Sequence, residues 1–345
     1  MLAQLPLELI DRVIECLSFD DVRAIACVCS ALRPPAQLRL FKTISIWGLA
    51  DTDPITPSRT EILLSQPSLL RCASHLIVED LQFPFILHQR EISIHSLWPH
   101  LPTMYRLTYV ELDLEPSTYA IGLSALEALG SAREIELNLR TTVPIDLIIS
   151  DKPLPVHSLT MPVDTAGDQL TTQLLRKCSQ TLRVLRLFLQ MNRVPSLAPL
   201  PYLCELSLHM CIEGSDPDLV SWFSFLDQHP TITCLSIDSR FILLVPPLPN
   251  MLPNLHSLKA TTLVIERLIP GRPIHSVHAI YYSYPSPPFP VNTMCQIFQL
   301  SNVPLTVLEI TTYSIFPGEG LIKVLKSLPK LREFTLDKPR YEVCP

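Results

Sequence analysis

The segment LRVLRL at residues 182–187 has apolar residues at its first, fourth and sixth positions, and this spacing returns along the chain. Clear copies are LCELSL at residues 203–208, ITCLSI at 232–237 and LTVLEI at 305–310. The fourth and sixth residues lie on the same side of an extended strand because side chains alternate between its two faces. Each copy therefore predicts a short β-strand that buries one face.

The fourth position of this motif recurs at intervals of 19 to 31 residues along the sequence. We place it at Leu76, Leu107, Ile135, Leu159, Leu185, Leu206, Leu235, Leu258, Val277, Leu308 and Phe334. The period resembles that of leucine-rich repeats, in which each unit contributes one strand and one helical or 3₁₀ segment. Amphipathic stretches that predict the helices lie between several strands, at residues 117–129, 164–178, 216–228 and 318–328.

Parallel strands need a crossover connection, and such crossovers are right-handed. Repetition of a strand and a helix therefore places the strands in one layer and the helices in another. The sequence predicts an α/β fold in which residues 47–345 form an irregular leucine-rich-repeat-like solenoid, with a parallel sheet on its concave face and helices on its convex face.

The residue between the last two apolar positions of each motif should point away from the core. Earlier copies place Ile77, Thr108 and Glu136 there. Later copies, together with the next outward position, offer both charge signs, an aromatic ring and an imidazole. We predict a target-binding patch at Arg186, Phe188, Ser207, His209, Ser236, Asp238 and Lys259. The alternative is an ordinary solvated sheet face.

The N-terminal segment PLELIDRVIECL at residues 6–17 predicts an amphipathic helix. At about 100° per residue, its apolar side chains fill roughly half of the helix circumference, and its charged residues fill the opposite side. This arc is wide enough for two neighbours. Residues 20–29 predict a second helix that begins with aspartates able to cap it. Residues 30–40 predict a weaker third helix, broken by Pro34 and Pro35.

Three short segments, LPLELI at residues 5–10, VCSAL at 28–32 and LFKTI at 40–44, resemble the F-box found in many fungal proteins. The resemblance implies a three-helix domain over residues 1–46 that docks on a Skp-type adaptor and through it joins a cullin ubiquitin ligase. The solenoid would then bind an unknown protein target. By motif position, the adaptor-binding residues would be Leu5, Pro6, Leu9, Ile10, Ile14, Leu17, Val28 and Leu32.

Leu32 occupies the position at which the F-box motif usually has a tryptophan. A second hypothesis follows from it: a solenoid scaffold for protein interactions whose N-terminal helices only cap the first repeat, as solenoid ends require. No nucleotide-binding, nucleophile-elbow or zinc-protease motif occurs, so we expect no enzyme activity, metal or cofactor. The carboxylates Glu111, Asp113 and Glu115 predict a solvated sheet edge rather than a catalytic pair.

Composition limits the partners and the compartment. The net charge of −6 provides no cationic field for a phosphate backbone, so nucleic acid is not expected as a partner. The apolar runs are short or interrupted by prolines, which predicts no membrane contact. The ten cysteines include no C-x-x-C pair, and the first apolar run carries acidic residues unlike a secretory signal. We therefore expect reduced thiols and a cytoplasmic or nuclear location.

Overall fold

The computed structural model describes most of the predicted repeats and divides the chain into two compact units, Met1–Leu159 and Thr160–Pro345. The described residues are 5–47, 63, 65–79, 98–113, 126–127, 135–139, 152–163, 168–189, 199–210, 224–238, 251–281, 291–312 and 318–337. The boundary predicted at residues 46 and 47 lies inside the first unit. The chain is α/β, and its sheet is parallel.

Three helices open the first unit: α1 (Leu7–Cys16), α2 (Phe19–Val28) and α3 (Arg33–Leu40). Their bounds agree closely with the sequence prediction, but two details of how they begin differ from it. Ser18, rather than an aspartate, caps α2, since its hydroxyl oxygen accepts the Asp21 N–H at 3.3 Å. Prolines stand in the first turn of α3, where the missing N–H costs no intrahelical bond, so they start the helix and do not break it.

The three helices share a small apolar core of their own. Five side chains are buried together in it: Ile10, Ile14, Val22, Leu32 and Ala36. The amphipathic pattern of residues 6–17 thus buries one part of its wide apolar arc among α1, α2 and α3.

Four parallel strands follow in the first unit, in sequence order: β1 (Thr43–Trp47), β2 (His75–Glu79), β3 (Tyr109–Asp113) and β4 (Ile135–Leu139). A short helix α4 (Pro67–Leu70) and a 3₁₀ helix (Trp98–Thr103) lie between them. Strand β1 begins at Thr43, so the end of the predicted helical domain already contributes a strand to the sheet.

The register of these strands corrects two of the predicted repeat positions. Ile44, Leu76, Val110 and Leu137 are aligned across β1 to β4, so Leu107 and Ile135 are not the aligned residues. Both residues are nevertheless buried, because Leu107 is the first apolar residue of its motif and Ile135 is two residues from the aligned position. For Ile135 the displacement is two residues, which leaves the same side chains facing the core, so apolar alternation cannot detect it.

The second unit contains seven strands in sequence order, and β5 (Val156–Val163) spans the boundary between the units. These strands are β6 (Val184–Leu189), β7 (Glu205–Met210), β8 (Cys234–Asp238), β9 (Ser257–Thr261), β10 (Ser276–Tyr281), β11 (Val307–Thr312) and β12 (Glu333–Asp337). Every neighbouring pair from β6 to β12 is parallel.

The repeat positions predicted for β6 to β12 are confirmed without exception. The aligned residues are Leu185, Leu206, Leu235, Leu258, Val277, Leu308 and Phe334. The first six are at most 2% exposed, so they form one continuous apolar layer beneath the strands. Apolar recurrence in the sequence therefore identifies the core of this unit.

Helices connect several of these strands: α5 (Asp168–Cys178), α6 (Thr262–Leu268), α7 (Val291–Phe298) and α8 (Gly318–Ser327). Helices α5 and α8 confirm the predictions for residues 164–178 and 318–328, except that residues 164–167 lie outside the described residues. Of the predicted stretches 117–129 and 216–228, residues 126–127 and 224–227 are helical, and most of the rest lies outside the described residues. None of the described helices is both long and apolar enough to cross a bilayer.

A hydrogen-bond ladder crosses the starts of the strands in both units. The residue just before a strand donates a side-chain hydrogen bond to the backbone carbonyl of its counterpart in the preceding repeat, at 3.1–3.3 Å. We call this set the strand-start ladder; its members are Ser74, Thr108, Cys204, Thr233 and Thr306. Each of these side-chain bonds links one repeat to the previous one, in addition to the main-chain hydrogen bonds of the sheet.

Candidate interaction surfaces

The N-terminal helices expose several apolar side chains although they have a core of their own. Leu9 is 48% exposed, Phe19 61% and Val28 85%. Leu9 and Val13 lie one helical turn apart on α1, so both occupy the same side of that helix. We call this set the N-terminal apolar surface; its members are Leu5, Leu9, Val13, Phe19 and Val28.

The predicted adaptor-binding residues divide into two groups. Leu5, Pro6, Leu9 and Val28 are exposed and available to a partner. Ile10, Ile14 and Leu32 are buried in the helical core, and Leu17 packs against that core. The second group supports the fold of the helices, and only Leu17 in it is partly exposed.

Sequence reasoning did not include two members of this surface, Val13 and Phe19. Val13 lies only about 40° from Leu9 around a helix, so the same angular analysis could have included it. Phe19 follows the Ser18 cap directly and is the first residue of α2. An apolar side chain at the first position of a helix has no preceding turn to cover it. Knowing where α2 begins would therefore have been enough to predict that Phe19 is exposed.

The second unit brings most of the predicted target-binding residues together on the sheet face. Arg186, Ser207, Ser236 and Lys259 are aligned on the adjacent strands β6 to β9. The Arg186 Nη2 lies 3.2 Å from the Glu205 Oε1 in a half-exposed ion pair. Such pairs contribute little to stability in water, but this one fixes the direction of the guanidinium group.

Beside this row, an aromatic pair forms a flat platform. The rings of Phe188 and His209 are stacked, with centroids 4.8 Å apart and planes inclined by 16°. The His209 Nε2 lies 3.0 Å from the Ser207 hydroxyl oxygen, which joins the platform to the row of polar residues. Asp238 on β8 is aligned with His209. The ion pair and the aromatic pair, together with the Ser207 hydroxyl, form what we call the sheet-face cluster; its members are Arg186, Phe188, Glu205, Ser207 and His209.

The same row continues into the later strands with His278 and Glu309. The His278 Nδ1 lies 3.4 Å from a Glu309 carboxylate oxygen, and its Nε2 lies 2.7 Å from the Thr311 hydroxyl. His275 precedes β10, so it does not share that strand with His278. Within the described part of the chain, no three histidine, cysteine, aspartate or glutamate residues form a group able to hold a metal ion.

The first unit has an outward row that contains Ile77 as predicted but corrects the other two predicted positions, Thr108 and Glu136. Ile77 is aligned with Glu111 and Asn138, whereas Thr108 precedes β3 and Glu136 is aligned with Tyr109. Glu111 is buried, so it is not part of a solvated edge. The Tyr109 hydroxyl donates to the Glu111 Oε2 at 2.6 Å, and burial together with this bond raises the pKa of Tyr109.

Both surfaces offer side chains of the kinds that protein interfaces use. The sheet-face cluster combines an aromatic pair and a guanidinium group on a rigid sheet, and aromatic rings and arginine are enriched at protein interfaces. The N-terminal apolar surface offers exposed apolar side chains on short helices. A scan against protein-family models finds no match to this chain, and neither does a search of curated proteins.

Proposed function

We propose that this protein is a non-catalytic substrate receptor of a Skp–cullin–F-box type ubiquitin ligase, made of an F-box and a leucine-rich-repeat-like solenoid. The N-terminal helices bind the adaptor, and the sheet-face cluster contributes to the binding of a protein target. Ubiquitin transfer belongs to other subunits. The observation that carries the proposal is the exposure of Leu5, Leu9 and Val28, because these residues stand at F-box motif positions and are left uncovered by the helical core.

The direct test is binding of the purified full-length protein to a Skp-type adaptor. Leu9→Asp places a carboxylate in the N-terminal apolar surface and should weaken the complex by about tenfold or more. Ile322→Asp is the matched control, since Ile322 is also exposed, at 55%, but lies on α8. The proposal fails if Leu9→Asp binds the adaptor as tightly as the parent protein.

Ile10→Asp is unsuitable for this test although it changes the neighbouring residue. Ile10 is 7% exposed and belongs to the helical core. A carboxylate there would be buried without a partner, so the three helices would unfold. Loss of adaptor binding would then report loss of the fold and not loss of a contact.

The scaffold hypothesis stays as the second candidate, and one observation favours it. Leu32, at the usual tryptophan position, is buried among α1, α2 and α3, so it presents no aromatic anchor to an adaptor. Phe188→Ala separates the two functions because it truncates the sheet-face platform without touching the N-terminal helices. A protein partner that depends on Phe188, found together with no adaptor binding by the parent protein, would select the scaffold.

A further inference from the structure

The last strand, β12, differs from the strands before it in how far its apolar residues are covered. Phe334 and Leu336 are aligned with Leu308 and Ile310 of β11, which are fully buried. Leu336 is 42% exposed and Phe334 is half-buried. Among the strands that the structure describes, β12 pairs with β11 only. The last repeat that the structure describes therefore ends in an apolar edge.

The backbone of β12 also presents hydrogen-bonding groups at this edge. The Glu333 N–H donates to the Thr306 carbonyl at 3.1 Å, so residue 333 faces toward β11. Successive residues of a strand direct their N–H and C=O groups to opposite sides, so Thr335 and Asp337 also face β11. Phe334 and Leu336 direct theirs to the open side, where an added strand could pair with them.

Charge decides what kind of strand fits. Glu333 and Asp337 are exposed at the two ends of β12, and both are acidic. A second copy paired antiparallel about Thr335 would place Glu333 opposite Asp337, and a parallel copy would place each acid opposite itself. Like charges directly opposite each other destabilise a strand pair, so β12 is poorly suited to pairing with itself. Lysine or arginine at the opposite positions would pair favourably.

We propose that the open edge of β12 binds an extended segment of a partner protein by strand addition. The segment carries two apolar residues at alternate positions, opposite Phe334 and Leu336, and a lysine or arginine on each side of them, opposite Glu333 and Asp337. Main-chain hydrogen bonds supply affinity, and the apolar and basic side chains supply specificity. This interaction goes beyond the receptor function and does not depend on it.

A charge-exchange experiment with the full-length protein tests the side-chain part. Two labelled peptides, one containing Lys-Val-Thr-Val-Lys and one containing Glu-Val-Thr-Val-Glu, are titrated and followed by fluorescence anisotropy. The lysine peptide should bind about tenfold more tightly. The double variant Glu333→Lys, Asp337→Lys should reverse that preference. The control Asp227→Lys, Glu319→Lys makes the same change in net charge at other exposed acids and should keep it.

A proline substitution tests the backbone part. Leu336→Pro removes an N–H that faces the open edge and leaves the bonds to β11 in place, so binding of the lysine peptide should fall by about tenfold. Leu336→Val retains the N–H and should bind like the parent. If Leu336→Pro unfolds the protein, the charge-exchange experiment still tests the proposal. The proposal is overturned if the parent protein binds both peptides equally. It is also overturned if the parent forms a dimer that Leu336→Pro dissociates.

Discussion

His229 is the buried ionisable side chain whose protonation state the structure defines best. Its Nδ1 lies 2.6 Å from the Phe225 carbonyl oxygen, and its Nε2 accepts the Leu200 N–H at 3.1 Å. One ring nitrogen therefore donates and the other accepts, which requires the neutral imidazole. Burial lowers the pKa of His229 below its ordinary value of 6.5.

This arrangement predicts a loss of stability in acid. The unfolded chain takes up a proton at His229 more readily than the folded protein, so the contribution of this site is complete above pH 6.5 and declines as the pH falls below that value. Urea unfolding at roughly pH 8 and pH 5 measures it. His229→Phe should reduce stability by about 1–3 kcal/mol at the higher pH, because the Leu200 N–H loses its acceptor. The substitution should also reduce the loss of unfolding free energy between the two pH values. An equal loss in the parent and the variant would contradict a neutral, buried His229.

At the scale of single residues, the sequence indicated which side chains are apolar but not which apolar side chains face a neighbour. Leu9 and Ile10 are adjacent and both belong to the wide apolar arc of α1, yet Leu9 is 48% exposed and Ile10 7%. The difference depends on where α2 and α3 pack, which is a tertiary property. The sheet-face cluster was easier to predict, since strand alternation alone places Arg186 and Ser207 on the outward side.

At the scale of elements, the strand-start ladder adds a bond to each repeat that holds a suitable side chain. The Thr233 hydroxyl donates to the Cys204 carbonyl at 3.1 Å, and the same carbonyl also accepts two backbone N–H groups. Thr233→Val should therefore cost only about 0.5–1.5 kcal/mol in the free energy of unfolding. Thr335→Val, at an exposed strand position, is the control and should cost less than about 0.5 kcal/mol. Equal losses in urea unfolding would show that the ladder contributes nothing.

The sequence predicted the later strands better than the earlier ones for a physical reason. From Leu185 to Phe334, the first, fourth and sixth positions of each motif define the register together. At residues 135–139, apolar residues occupy every second position, and the choice between Ile135 and Leu137 depends on pairing with β3. The strand-start ladder was not predicted, because the acceptor of each hydrogen bond is a carbonyl in the preceding repeat. The sequence does not show that this carbonyl lies beside the donor.

At the scale of the whole molecule, each unit is built from repeats that contact their sequence neighbours. Stability in such arrays depends on interfaces between adjacent repeats, so a central defect should cost more than a terminal one. Leu258 is fully buried in β9 with a strand on each side, whereas Leu336 is 42% exposed in β12.

Leu258→Ala should accordingly reduce the free energy of unfolding by about 2–5 kcal/mol. Leu336→Ala removes the same atoms and should cost less than about 1 kcal/mol, because little of that side chain leaves water on folding. Urea unfolding followed by circular dichroism compares the two variants. Similar costs would mean that the last strand is covered as fully as the central strands.

Strand order equal to sequence order governs how the second unit would respond to tension. A pulling force applied at the C-terminal end would reach β12 first, and its main-chain bonds to the described strands lie on one side only. Because Leu308 and Phe334 are 26 positions apart, detaching β12 lengthens the chain by about one repeat and exposes β11 to the same load. The unit would thus lengthen in short successive steps, each about one repeat long, without rupturing as a single block.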